Sequence, residues 1–389
     1  MRAYVVTVLG VLACGLFLVG LLDALVDPFG VLPSPVIEGV NVPKTEVGDY
    51  ARLYKAHAVR WRRPTAVILG SSTAIIGLDP AHPGWRTARP YNLALPGASV
   101  YQMRRYLEHA LAVGPLDRVV IGLDFSAFNA YFRFDQDFDE GRLRIASDGS
   151  PAAGRPLEPL AVTLSMDALR ASLGTVRKNR GNAFGPVCGP DGRCWMRAER
   201  EWVKRERGVR RVFGLFERGF LWRFWFPPPL AKYAFTDPEI RRSPFEELAR
   251  ILELARRHRF DLRLFISPSH ARLSEARIAV GLGDEFEEWK RTLARLVAEP
   301  ADGERPVPLW DFSGYHPLTA EEFPESVDPG ATMRWHMDSV HYRKDLGDLV
   351  LDRLFAHREP GREVPAGFGV ELTPANVEGH LARVREEHE

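Results

Sequence analysis

Two short stretches hold residues whose types and spacing suit one chemistry. Near the start, Val67-Ile68-Leu69 runs into Gly70-Ser71-Ser72-Thr73; near the end stands Asp338-Ser339-Val340-His341. A serine hydroxyl attacks an acyl carbon only when a neighbouring imidazole takes its proton, and the imidazole serves best when a carboxylate fixes its tautomer. Ser72 is the candidate nucleophile, His341 its general base and Asp338 the orienting group, since an aspartate and a histidine three apart in a turn can lie on one side. Each also has a plainer use: a serine capping the helix after a strand, an aspartate N-cap, a surface histidine. Taken jointly, they suit a Ser-His-Asp arrangement for nucleophilic catalysis. His336, Asp338 and His341 also suit zinc or iron, a reading that leaves Ser72 without a role.

The flanking sequence supplies elements to hold these groups. The branched run before Gly70 reads as a buried parallel strand, and open α/β sheets carry their chemistry at the carboxyl ends of such strands. A second short strand is expected at Tyr91 to Ala94. Ser99 and Gln102 then form a capping box for a helix whose apolar face is Val100, Met103, Leu107, Ala110 and Leu111. Arg118 to Asp124 reads as a third strand. In the second half, Ser243-Pro244 opens a helix with Leu248, Ile251, Leu252 and Ala255 on its buried face, Asp261 to Ser267 gives a fourth strand and Pro308 to Asp311 a fifth. Ser269, His270 and Arg272 follow the fourth strand, where they suit substrate contact or loop capping. A last core helix carries Leu346, Leu349, Val350 and Leu354. Strand-helix units in succession imply a parallel, doubly wound sheet.

The 389 residues carry a formal charge of +1, so no global field argues for nucleic acid. Residues 3 to 22 are uncharged, and twenty helical residues cover about 30 Å of hydrocarbon. No small-residue cleavage pattern stands before Asp23, which favours an uncleaved anchor in 1–24 over a signal peptide. Arg2 precedes the span and Asp23 and Asp27 follow it, placing the remainder outside a cytoplasmic membrane. A stalk is expected over 25–63, a sheet domain over 64–135 and 243–357, an insertion over 136–242, and a polar tail over 358–389 with a surface helix from Thr373-Pro374. Within the insertion, Cys188 and Cys194 flank a turn-rich loop short enough for a disulfide, with two free thiols as the alternative. From Trp195 to Trp225 arginines interleave with aromatic residues. This stretch is either a lid or interfacial helix near anionic lipid or polymer, or an insertion helix packing its aromatics on the sheet domain.

The pairing of strand-Gly70-Ser71-Ser72 with Asp338-x-x-His341 resembles the SGNH/GDSL-like hydrolase superfamily. In particular it looks like the membrane-anchored members that handle acyl groups on cell-surface polymers, such as alginate O-acetylation proteins and the teichoic-acid D-alanylation protein. The resemblance covers 64–135 and 243–357 and implies a flavodoxin-like α/β fold, a parallel sheet flanked by helices. Ser72, Asp338 and His341 match the triad. Asn92-Leu93-Ala94-Leu95-Pro96-Gly97 matches the second block, which gives Gly97 an oxyanion-hole N–H. Gly122-Leu123-Asp124-Phe125 stands where the family has Gly-x-Asn-Asp, so Asp124 replaces an amide donor. Either Asp124 is protonated, or Asn129 substitutes, or the Ser72 and Gly97 N–H groups act alone. The implied activity is O-acyl transfer to, or deacylation of, a cell-surface polysaccharide. Its partners are an acyl donor, the polymer, the membrane and proteins of a polysaccharide assembly; no cofactor and no metal are implied. A catalytically silent binding scaffold is the alternative, with Asp124 as its best support.

Overall fold

Apolar strands alternating with capped helices build most of the chain, as its patterning requires. The computed structural model describes residues 1–86, 88–132, 137–181, 183–237, 243–298 and 306–388. In order, the elements begin with α1 (Arg2–Val26), α2 (Ala51–Arg62), β1 (Ala66–Leu69), α3 (Ser72–Gly77), β2 (Pro90–Asn92), α4 (Val100–Val113) and β3 (Arg118–Leu123). Then come α5 (Glu158–Thr163), α6 (Met166–Arg180), β4 (Gly185–Cys188), β5 (Cys194–Arg197), α7 (Glu199–Arg205) and α8 (Val209–Phe220). The last part holds α9 (Pro244–His258), β6 (Asp261–Ile266), α10 (Ala271–Ala279), α11 (Gly283–Ala298), β7 (Leu309–Asp311), α12 (Lys344–Phe355), β8 (Val370–Glu371) and α13 (Val377–His388). Contacts divide the chain into two units, Met1–Arg63 with Gln136–Ala198, and Pro64–Asp135 with Glu199–Glu389. The stretch 136–242 is therefore shared between the units. Of the boundaries expected from sequence, residues 135, 136 and 242 lie outside the described residues.

In the first unit, α1 is long and apolar enough to cross a membrane. It packs on α5 and α6. Phe29, Val31, Leu53 and Ala168 form a small core. The segment after α1 is folded onto this unit by a buried ion pair: Lys44 Nζ lies 3.3 Å from the Asp27 carboxylate and also donates to the carbonyls of Val26 and Asp27. Cys188 and Cys194 are joined as a disulfide that closes the β4–β5 hairpin.

The second unit is a six-stranded sheet in the order β2-β1-β3-β6-β7-β8, parallel except for the β7–β8 pair. The register aligns Leu69 with Ile121 and Leu123 with Ile266, so the carboxyl ends of β1, β3 and β6 share one edge. Serine capping works as the sequence suggests: Ser99 Oγ accepts from Gln102 N–H at the start of α4, and Ser243 Oγ from Phe245 N–H at the start of α9. The C-terminal stretch adds more than a surface helix. Residues 370–371 pair with β7, and α13 buries Val377, His380 and Leu381.

Candidate active site

The carboxyl edge of the sheet sets the turn that carries Ser72. Gly70 has φ +142°, and a Cβ there would stand 2.8 Å from Ala74 Cβ and 3.0 Å from Gly122 O, so only glycine turns β1 into α3 this tightly. Ser71 is the N-cap of α3, its Oγ accepting from Thr73 N–H at 3.3 Å, and Ser72 is the first helical residue. A second close approach brings the distant histidine over it. Where α3 meets α12, a Cβ on Gly347 would fall 1.9 Å from Gly77 O, and one on Gly77 would overlap the Tyr342 ring. Backbone touches backbone there, and the loop entering α12 lies against Ser72.

That loop is a tight turn rather than the start of a helix. Met337 N–H donates to His341 O, and Arg343 N–H to Trp335 O. Asp338 is fully buried. Its Oδ1 accepts the backbone N–H groups of Val340 and His341 at 2.8 and 2.9 Å, while Oδ2 lies 2.8 Å from His341 Nδ1. On the other side of the ring, His341 Nε2 is 2.8 Å from Ser72 Oγ. Asp338 thus fixes the ring with its proton on Nδ1, leaving Nε2 to accept from the serine. Burial opposes charge on His341, but the Asp338 carboxylate, its hydrogen bond and the charge of Asp124 outweigh it, so the imidazole holds its proton above the ordinary histidine range. Of the two serines, it is Ser72 that meets the histidine. His336, by contrast, lies with Nε2 3.1 Å from Pro268 O and its ring against His270, apart from the Asp338–His341 pair in its bonding.

Asp124 follows β3 and lies half-buried against the turn that carries Ser72. Its Oδ2 accepts from the hydroxyls of Ser71 and, at 2.9 Å, Thr73. Burial raises its pKa, and the hydroxyls of Ser71, Ser267 and Thr73 offset only part of that rise. Asn129 corrects one expectation. Its amide donates to the carbonyls of Phe224, Trp225 and Lys232 and its Oδ1 accepts from Tyr131 and Ala234, so both hydrogens hold the chain segment after α8 and neither serves an oxyanion. Gly97 sits at φ +56° in the turn after β2, and Leu95 N–H bonded to Gly70 O at 3.0 Å ties that turn to the Gly70–Ser72 turn.

Several contributors carry no sequence signal of their own. The Phe216 ring meets the His341 ring edge-on at 5.3 Å, placing α8 beside this histidine. Val203, Val209, Val212, Phe213 and Met333 bury the apolar side of α7 and α8 within the sheet unit, while Arg205, Arg207, Arg210, Arg211, Arg218 and Arg223 are exposed. Glu199 pairs with the Arg343 guanidinium, whose Nε also donates to His336 O, so α7 braces the histidine turn. His270 caps α10 through Nδ1, its Nε2 is 2.8 Å from Glu321 O, and burial lowers its pKa to about 4. Arg272 grips Glu217 of α8 with two bonds of 2.8 and 2.9 Å. No protein-family model matches this chain, and no curated protein matches it in sequence.

Proposed function

We propose that this protein performs acyl-ester chemistry through an acyl-serine on Ser72, as an SGNH-type esterase or O-acyltransferase acting on a cell-surface polysaccharide. The observation that carries the reading is the chain Ser72–His341–Asp338, with two contacts of 2.8 Å ending on a buried carboxylate. His341 Nε2 takes the Ser72 proton as Oγ bonds to the acyl carbon, and returns it to the departing alcohol oxygen. Water or a sugar hydroxyl then gives its proton to Nε2 as its oxygen bonds to the same carbon, and Nε2 passes that proton to Ser72 Oγ as the Oγ–carbon bond breaks. Asp338 keeps the ring oriented and offsets the imidazolium charge throughout. The strand order 2-1-3 followed by the two next parallel strands agrees with a flavodoxin-like sheet and supports the SGNH reading.

The apolar helix α1 supports a single-pass anchor in the cytoplasmic membrane, and the charge asymmetry about it supports an extracytoplasmic catalytic unit. The partners on this reading are an acyl donor, the polymer and proteins of its assembly. Asp124 favours one further reading, a silent scaffold, because a carboxylate stands where the resemblance puts an amide donor. Incubating the protein with an activated acetyl ester and weighing it tests both. An adduct on Ser72 that is absent from Ser72→Ala and His341→Ala supports the enzyme; no adduct on folded wild type overturns it and leaves the scaffold.

A further inference from the structure

The first unit carries a face that the chemistry above does not use. Large apolar side chains are left in the open along it: Leu157, Leu160, Leu164, Met166 and Leu173 are 57 to 73% exposed, five within seventeen positions. Scattered apolar residues are ordinary on a surface, but a cluster of this size needs a cover. Its depth relative to α1 says which. The uncharged run from residue 3 to residue 22 spans about 30 Å, the hydrocarbon thickness, so Leu22 stands at its outer edge. The side chains of α1 are exposed all round through Leu18, and from Val19 one side becomes partly covered while Leu21 and Leu25 stay exposed. About one helical turn of the span is therefore covered on one side by the unit's own chain, and the contact is direct: a Cβ on Gly20 would lie 3.0 Å from Leu164 Cδ2. Leu164 stands level with the last turn inside the hydrocarbon.

We infer that α5 and the exposed side of α6 form a second membrane contact, lying in the interfacial layer of the leaflet from which α1 emerges; this rests on the reading of α1 as a membrane anchor. The composition of α6 fits that layer. Ala168, Ser172, Thr175 and Asn179 are its buried side, and Met166, Arg170, Leu173, Arg177 and Arg180 follow one another at helical steps on the exposed side. Apolar side chains reach toward the acyl chains while the arginines extend to phosphate oxygens. A groove of about 810 Å³ shares Leu157, Ala161 and Val162 with this face and is walled by Phe29 and Leu53, giving a lipid chain room to enter. A water-soluble partner reaches residues level with Gly20 only by entering lipid itself.

The test uses the full chain in phospholipid vesicles with anionic lipid, in a Cys14→Ser background so that the disulfide leaves no native thiol. Single cysteines at Leu160→Cys, Met166→Cys and, within the span, Leu9→Cys carry an environment-sensitive fluorophore. Lipids bearing a nitroxide on shallow or deep acyl carbons and aqueous iodide are the quenchers. Positions 160 and 166 are expected to lose emission to the shallow nitroxide and to resist iodide, with position 9 quenched by the deep one. Emission at 160 and 166 that responds to iodide and not to lipid, while position 9 responds to lipid, overturns the second contact and keeps the anchor. Resistance to both quenchers at 160 and 166 assigns the face to a protein partner and also overturns it. If position 9 ignores lipid as well, the anchor reading fails, and the second contact with it.

Discussion

At the scale of single residues, the site is a matter of which proton sits where. His341 must be neutral to take the Ser72 proton, and its surroundings raise its affinity for protons. Activity should therefore fall as pH falls through an inflection above the ordinary histidine value of about 6.5. Replacing Asp338 with Asn removes the largest of the groups that favour the imidazolium, so the inflection should move down and the maximal rate should drop by a factor on the order of 10³–10⁴; a pH–rate profile of acyl-serine formation reads both. Asp124→Asn separates the neighbouring charge from the fold. The Ser71 and Thr73 hydroxyls can turn to meet an amide, and the inflection should again move down because Asp124 also raises His341. An unmoved inflection in both variants would show that His341 is not the titrating base. Ser72, Asp338 and His341 are legible in sequence because their chemistry is written in residue type and short spacing. The fate of Asn129 is not: the carbonyls that take its amide hydrogens stand 95 to 103 residues further on, and no local pattern says that those hydrogens are already engaged.

At the scale of elements, the triad depends on α3 and α12 meeting without side chains between them. Gly347→Ala puts a methyl group into the Gly77 carbonyl, an overpacking that costs about 1–3 kcal/mol and pushes the histidine turn away from Ser72. The expected result is a lowered denaturation midpoint with a disproportionate loss of acylation rate; equal rates at a lowered midpoint would refute the coupling. The cover formed by α8 makes the opposite kind of prediction. Glu217→Gln breaks an exposed pair with Arg272 worth about 1 kcal/mol or less, so stability should hardly change, while the position of Phe216 over His341 loosens and KM for the acyl donor should rise. The five parallel strands were legible from branched apolar runs and their caps, with ends shifted by one or two residues. The sequence leaves the role of the 195–225 stretch open because arginines interleaved with aromatic residues fit a lipid surface as well as a sheet, and Trp222 itself stays exposed. Only the burial of Val203, Val212 and Phe213 decides for packing within the unit.

At the scale of the whole molecule, the C-terminal stretch illustrates why a tail cannot be recognised from composition. Residues beyond Phe355 are polar and broken by proline, yet β8 completes the sheet edge and α13 is pinned to β7 by a buried charge cluster. Asp311 accepts from Ser313, lies 2.7 Å from Lys290 Nζ of α11 and is 2.8 Å from His380 Nε2 of α13, with both Lys290 and Asp311 fully enclosed. Burial alone would raise the Asp311 pKa, but the Lys290 charge and His380 reverse the effect and leave it below the ordinary carboxylate value. A carboxylate with a depressed folded pKa contributes stability that is present above its unfolded pKa of about 4 and is lost as pH falls from there toward the folded value. Asp311→Asn strands Lys290 without its counter-charge and should cost about 3–5 kcal/mol at neutral pH. Denaturant midpoints in detergent at neutral pH and at a series of values below pH 4 check the sign: the gap between wild type and variant should narrow steadily on acidification. A gap that stays constant would mean that Asp311 keeps the same proton affinity in the folded and unfolded chain, and that α13 is held by its apolar contacts alone.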